Sequence, residues 1–280
     1  MFQLLNPRRF YFAVGKKKFW EFTVFVLFML FFYGPILNLV MLAFANVYDV
    51  PAIIPQRFGF KWWAFIFSQK NLVSSISLSF LFAVVTTVVS MLLCIPAGYA
   101  IARFKFPFRR IFMLSFLLTN AFPKIGLYTS IGILYYRYNL IGTFAGVVII
   151  HMINTMMYMV WLPAGAFGTV HRQQEEAARD VGAGPFRTFM QVTLPMAMPG
   201  IAVASVYTFL GSMEEMQGTF LVGVPGFRTM PVQMYNVITE YAVQAGAVFA
   251  FILMLPTVLF LFLMRRYIGP SAIAGGFKLK

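Results

Sequence analysis

The sequence predicts an all-α integral membrane protein with six transmembrane helices, and three observations carry that prediction. First, 60% of the 280 residues are hydrophobic and only 11% are charged, against about 25% charged residues in an ordinary soluble domain. So few ionic groups could not cover a soluble surface. Second, mostly apolar stretches long enough to cross a hydrocarbon core of about 30 Å, which takes about 20 helical residues, recur along the chain. Third, the formal net charge of +14 collects in alternate connecting segments, as the positive-inside rule requires of a chain that crosses a bilayer repeatedly.

The N-terminal arm, residues 1–21, carries Arg8, Arg9, Lys16, Lys17 and Lys18 ahead of the first span, Phe22–Ala45. That span is too long for a signal-peptide core and lacks a small-residue cleavage site, so it is read as uncleaved. An outer segment follows, in which Phe58 to Phe67 reads as a short helix lying in the interface, its adjacent Trp62 and Trp63 turning indole N–H groups toward headgroups. The remaining spans are Leu72–Ala102, Ile111–Tyr135, Ile141–Phe167, Gly200–Val222 and Ala242–Met264. Pro35, Pro96, Pro123, Pro163 and Pro256 fall inside spans, where neighbouring helices and water can satisfy the carbonyls that a proline frees. The transmembrane domain thus covers 22–268, with a cytoplasmic loop at 168–199 and a cytoplasmic tail at 269–280.

Of the 22 cations, 16 lie in the arm, the 103–110 loop, the 168–199 loop and the residues after the sixth span. Arg57, Lys61, Lys70, Arg137 and Arg228 fall on the other side, and Lys124 falls inside a span. Both termini are therefore expected in the cytoplasm, and the excess charge reflects topology rather than nucleic-acid binding. The single cysteine, Cys94, excludes an internal disulfide and any cysteine-cluster metal site.

The segment between spans four and five is the most informative. It reads as a helix from about Arg172 to Val181, with Glu175 and Glu176 early, where the helix dipole favours acids. Gly182 and Gly184 supply a stop, and Pro185 opens a second short helix at its first turn. Leu194-Pro195 and Pro199 are expected to break the chain before it re-enters the membrane. The first helix offers a small-residue surface, Ala177-Ala178, that lets another protein approach closely.

Here the sequence resembles a known family. Glu176, Ala177, Ala178, Gly182, Val192, Leu194 and Pro195 fill, with correct spacing, the EAA loop of binding-protein-dependent ABC importer permeases; Val192 stands where Ile is commoner. The runs Ala100-Ile101-Ala102-Arg103 with Pro107, Gly211-Ser212-Met213-Glu214-Glu215-Met216, and Arg266-Tyr267 with Ala274-Gly275-Gly276 are similar to segments of the maltose-type carbohydrate permeases, except that Met213 and Glu214 replace the usual Trp and Asn. The resemblance implies a type I ABC importer permease fold in a bacterial inner membrane. It implies as partners a second permease subunit in a heterodimer, an ATPase dimer, an extracytoplasmic solute-binding protein, a small-molecule solute and membrane lipid. Glu176 would accept a bond from an ATPase cation, Ala177 and Ala178 would seat the helix, and Gly182 would fix the turn. Glu175, Asp180, Leu194 and Pro195 complete that segment. No G-x-x-x-x-G-K-[ST] phosphate loop is present, so no cofactor is expected in this chain, and ATP and Mg would belong to the partner ATPase.

Ionisable groups at membrane depth cost roughly 2.5 to 3.5 kcal/mol each at a helix centre and usually face a cavity or one another. Lys124 in span three and Glu214 and Glu215 in span five lie at similar depth, about 20 Å from the cytoplasmic end at 1.5 Å per residue. An ion pair between Lys124 and Glu214 and the binding of a charged solute group both fit this spacing; for Glu215, which the family pattern shares, a structural or gating role is expected. Span four adds a polar stripe at His151, Asn154 (or Thr155), Tyr158 and Trp161, and span five one at Tyr207, Gly211, Glu214 and Gly218, suited to a sugar or to contacts with a partner permease. His151 alone reads as a satisfied interhelical histidine. The function expected is transport of a sugar, oligosaccharide or polyol by alternating access. The alternatives are a charged solute (a uronic-acid saccharide, polyamine or opine) and, remotely, an intramembrane enzyme, for which neither H-E-x-x-H nor a nucleophile elbow is found.

Overall fold

The computed structural model describes residues 15–264. Arg8 and Arg9 of the arm, and the tail 269–280 with its neighbours Arg265 and Arg266, lie outside the described residues. Twelve helices and one two-stranded hairpin run in chain order among those described. Five helices are long and apolar enough to cross a membrane, and six if one bent pair is counted as a single span.

Two compact units are described separately. The first contains α1 (Lys16–Ala43), the hairpin β1 (Ala45–Val47) and β2 (Arg57–Phe58), most of α2 (Lys61–Ser68), and residues 241–251, which open the last helix. α1 starts before the expected span, so Lys16, Lys17 and Lys18 are its first turn rather than part of an arm. β1 and β2 pair antiparallel. The short helix expected after Phe58 is α2, but its indoles do not reach outward for headgroups. Trp63 Nε1 donates to the Ala43 carbonyl at 2.7 Å and Trp62 Nε1 to the Asn46 carbonyl at 3.3 Å. The reason is that α1 ends at Ala43, leaving carbonyls without intrahelical partners; Trp63 satisfies one of them and Trp62 a carbonyl of β1, while their rings stay in apolar contact. Asn46 Oδ1 in turn accepts from the Lys61 amide at 2.9 Å, capping the first turn of α2.

The second unit is built on α3 (Lys70–Arg103), α6 (Phe144–Thr169) and α9 (Leu194–Met213). Gly98 lies against Pro163 and Ala164, and Phe82 against Phe144 and His151, so α3 and α6 run parallel. α9 runs antiparallel to both, with Gly200 against Ala166 and Asn154 bonded to the Gly211 carbonyl. These small-residue contacts are what close helix packing in hydrocarbon needs, where no hydrophobic force drives helix against helix. Thr143 starts α6 by accepting the Gly146 amide at 3.0 Å.

Spans three and five differ from the expected continuous helices. Span three is two helices, α4 (Arg109–Ala121) and α5 (Lys124–Arg137), bent by 104°. Pro123 forces the preceding residue out of helical conformation, and Phe122 takes φ −91°, ψ 152°. Lys124 is therefore the first residue of a helix, not a mid-span cation. Span five ends at Met213; a break at Glu214–Met216 separates α9 from the short α10 (Gln217–Val222). At its other end, Leu194, Pro195 and Pro199 do not break the chain: α7 (Arg172–Asp180) and α8 (Pro185–Thr188) are followed by a π-helical turn, Phe189–Thr193, that runs directly into α9. The Leu194 amide bonds the Phe189 carbonyl across this turn, and Pro195 follows directly as the second residue of α9. α11 (Met230–Glu240) and α12 (Val243–Met264) complete the chain.

Asn46→Ala should cost about 1 kcal/mol through the lost cap and speed amide hydrogen exchange in the first turn of α2, with the spans unaffected.

Candidate functional site

At the end of the second unit that carries α7, nine residues form a polar helix closed by a turn that only glycine adopts freely. The Gly182 amide bonds the Arg179 carbonyl at 2.9 Å and the Ala183 amide the Ala178 carbonyl at 3.1 Å, the paired pattern of a Schellman end. Gly182 has φ +88° and nothing near its absent Cβ. Gly184 precedes Pro185, which starts α8. The unit exposes Glu176, Ala177 and Asp180. Beside them stand Val181 and Phe186, 86% and 74% exposed. A half-open depression between α7 and the π turn is lined by Ala178, Val181, Arg187 and Gln191 among others. Glu175 points the other way, 5% exposed, onto Arg103 of α3 at 2.7 Å, while Thr193 donates to the same Oε1 at 2.8 Å. Leu194 packs inward with Phe167, Val170, Ala197 and Ile201, and Pro195 is exposed. This unit seals one end of the bundle and offers an apolar, acid-flanked face.

A second polar cluster lies at the two broken spans. Lys124 Nζ donates to Asn154 Oδ1 at 2.8 Å, and Asn154 Nδ2 donates to the Gly211 carbonyl at 3.1 Å. Lys124 is thus not paired with Glu214. The expected pairing does not form because α9 stops at Met213 and consecutive residues in the break point in different directions. Glu215, 3% exposed, accepts from Tyr128 Oη at 3.1 Å and from the Gly218 amide at 2.7 Å. It therefore caps α10 with a charge that the helix dipole favours. A Cβ on Gly218 would run into Ile150 and crowd this carboxylate. Glu214 is exposed, and its side chain makes no hydrogen bond or ion pair among the described residues.

His151 is fully buried between Ser212 Oγ on Nδ1 and Thr219 Oγ1 on Nε2, both at 2.7 Å. With both ring nitrogens bonded, it ties α6 to α9 and α10. Among the described residues no group of three or more His, Cys, Asp or Glu could hold a metal ion. Tyr158 and Tyr207 stack at 5.4 Å and 22° across α6 and α9, with Tyr207 46% exposed. Trp161, at the end of the same stripe, is occupied by the Met113 carbonyl at 3.0 Å.

Comparison with known proteins decides the family. Residues 94–273 match the family described as binding-protein-dependent transport system inner membrane component. The chain belongs to this family. It is similar to an ABC transporter permease of Streptomyces antibioticus, 30% identical over 216 residues that cover 76% of this chain and 94% of that one. It is also similar to a trehalose transport system permease of Mycobacterium tuberculosis, 25% identical and covering 81% and 84% of the two chains. The fold matches a chain of a bacterial ABC transporter involved in the import of the acidic polysaccharide alginate, at TM-score 0.71, 15% identity and coverage of 94% and 98%.

The protein is thus an ABC importer permease of the inner membrane, a transport subunit rather than an enzyme, and such permeases work with a substrate-binding protein and other subunits. In the permease, the residues that sequence reasoning did not single out are those that hold the named ones in place: Arg103 and Thr193 around Glu175, Tyr128 on Glu215, and Ser212 and Thr219 on His151. Arg103 carries a readable signal, a cation ending a span, whereas the hydroxyls carry none.

Tyr128→Phe should cost about 2 kcal/mol, the scale of a hydrogen bond to a charged group, seen as a lower unfolding midpoint in detergent. Glu214→Gln should leave that midpoint unchanged.

Proposed function

We propose that this permease carries a sugar, oligosaccharide or polyol delivered by an extracytoplasmic solute-binding protein. It forms half of the translocation path, a second permease subunit in a heterodimer forming the other half. An ATPase dimer, which holds the ATP and Mg, docks on the α7–α8 unit from the cytoplasm, where both termini also lie.

The observation that carries the coupling reading is the exposed, glycine-closed α7–α8 unit, covalently continuous with α6 on one side and α9 on the other. Movement of a docked ATPase would tilt those spans, and alternating access needs no more than such rocking around a fixed site. By this reading Glu176 accepts from an ATPase cation and Val181 and Phe186 bury against the partner. The orientation is supported by Lys105, Arg109, Arg110, Arg172, Arg179 and Arg187, all on the side that carries α7.

The carbohydrate reading is supported by the relative named for trehalose and by the Tyr158–Tyr207 stack, an apolar face with hydroxyl edges of the kind that sugars pack against. A second reading is a solute with a charged group such as a uronic-acid saccharide, polyamine or opine; its cationic members are favoured by Glu214, exposed beside the break in span five. Mass spectrometry of the ligand retained by the cognate binding protein separates the two: a neutral saccharide supports the first, a charged solute the second.

Gly182→Asp should leave the permease inserted, because the position is open, yet uncouple it, because φ +88° strains any side chain by about 1–2 kcal/mol and adds a charge to the docking face. Unchanged transport and unchanged ATPase stimulation would sink the coupling assignment. Tyr207→Ala should lower transport about three- to tenfold, the scale of one aromatic contact, with basal ATP hydrolysis retained.

A further inference from the structure

The only ion pair among the described residues lies where the coupling unit meets the end of α3, a helix that is not adjacent to that unit in sequence. Arg103 and Glu175 are 72 positions apart. Arg103 Nε and Nη2 both donate to Glu175 Oε1, at 3.0 and 2.7 Å, and Nη2 also donates to the Val170 carbonyl at 3.0 Å. The grip is reciprocal: Arg172 Nη2 donates to the Arg103 carbonyl at 2.9 Å, one of the orphan acceptors at a helix end. Thr193 adds a third donor to Glu175 Oε1. α3, the start of the loop, α7 and the π turn therefore converge on one carboxylate oxygen.

We infer that Arg103 and Glu175 are positioning residues that lock the end of α3 to the coupling helix, so that force received on the loop reaches α3 directly as well as α6 and α9. Both side chains are less than 10% exposed. Desolvation makes such a buried pair poor value as net stability, and its directional bonding fixes geometry instead. Glu175 is buried with three donors on Oε1, so an incoming subunit finds Glu176, its exposed neighbour. The π turn matters here because it brings Thr193 inward while Phe189 stays packed on Tyr99 of α3, at 4.9 Å between ring centroids. Tyr99 also meets Phe167 of α6 at 5.4 Å. An apolar joint thus lies beneath the polar one, and together they leave the α3 end no independent path of movement.

The proposal rests on α7 as the docking helix, which the Gly182→Asp variant tests separately. Spin labels at Lys105→Cys and Gln173→Cys, in the intact importer with Cys94→Ser, should report one narrow separation with and without ATP. In Glu175→Gln that separation should broaden when ATP is bound, and stimulation of ATP hydrolysis by the purified binding protein should fall about tenfold with the basal rate retained. A role in folding alone would not split stimulated from basal hydrolysis. A separation that changes with ATP while the pair is intact, or full stimulation in Glu175→Gln, overturns the inference. Should Glu175→Gln fail to assemble, the measurement on the intact pair decides it.

Discussion

In hydrocarbon every backbone polar group needs a partner within the protein, because no water supplies one and each unsatisfied group costs several kcal/mol. The two breaks in this permease exist under that constraint, and the contacts around them are its consequence. Where α9 ends at Met213 and α10 begins at Gln217, the freed amide of Gly218 is taken up by the Glu215 carboxylate. That carboxylate is in turn held by Tyr128 of α5, the second limb of the other broken span. The first residue of that limb, Lys124, sends its charge to Asn154, which returns a bond to α9 at Gly211. His151, bonded to Ser212 on one side of the break and Thr219 on the other, closes the set. The polar residues at membrane depth repair one another's helix ends.

The opposite end follows the same logic with different materials. α3 ends at Arg103 and α6 at Thr169, and their terminal carbonyls are met by arginine side chains from the neighbouring strand of chain. The acid that balances those cations, Glu175, belongs to α7. One face of α7 is consumed in holding the bundle together, and the other is left exposed.

Much of this was legible in the sequence where the signal was local. The spacing from Glu176 to Gly182 announces the short helix and its turn, because a Schellman end is decided by residues within one turn of each other. The spans were legible because hydrophobic length is a property of composition. Pro123 was not readable as a break: five prolines fall inside expected spans, and α1, α3 and α6 do run through theirs. Lys124 was placed at the right depth, yet its partner was misjudged. Counting residues along a helix gives depth but not azimuth, and the count assumed that span five was still helical at Glu214. The burial of Glu175 was hidden by its neighbours, since Gln173, Gln174 and Glu176 make that stretch polar on every side and only the distant Arg103 reveals which face turns inward. The tryptophans of α2 were misdirected for the same reason: the carbonyls they satisfy lie at least 16 positions earlier in the chain.

The π turn between α8 and α9 bears on how this chain can change over time. Loops between spans ordinarily tolerate insertions and deletions. Here α8, the wide turn and α9 form one uninterrupted rod, and a helix advances about 100° per residue. Adding or removing a single residue between Phe189 and Thr193 would swing Phe186 away from the face it shares with Val181 and carry Thr193 off Glu175. The segment is therefore constrained in length as strictly as in composition, and relatives that keep the same coupling face should differ here by substitution, while changes in length collect elsewhere.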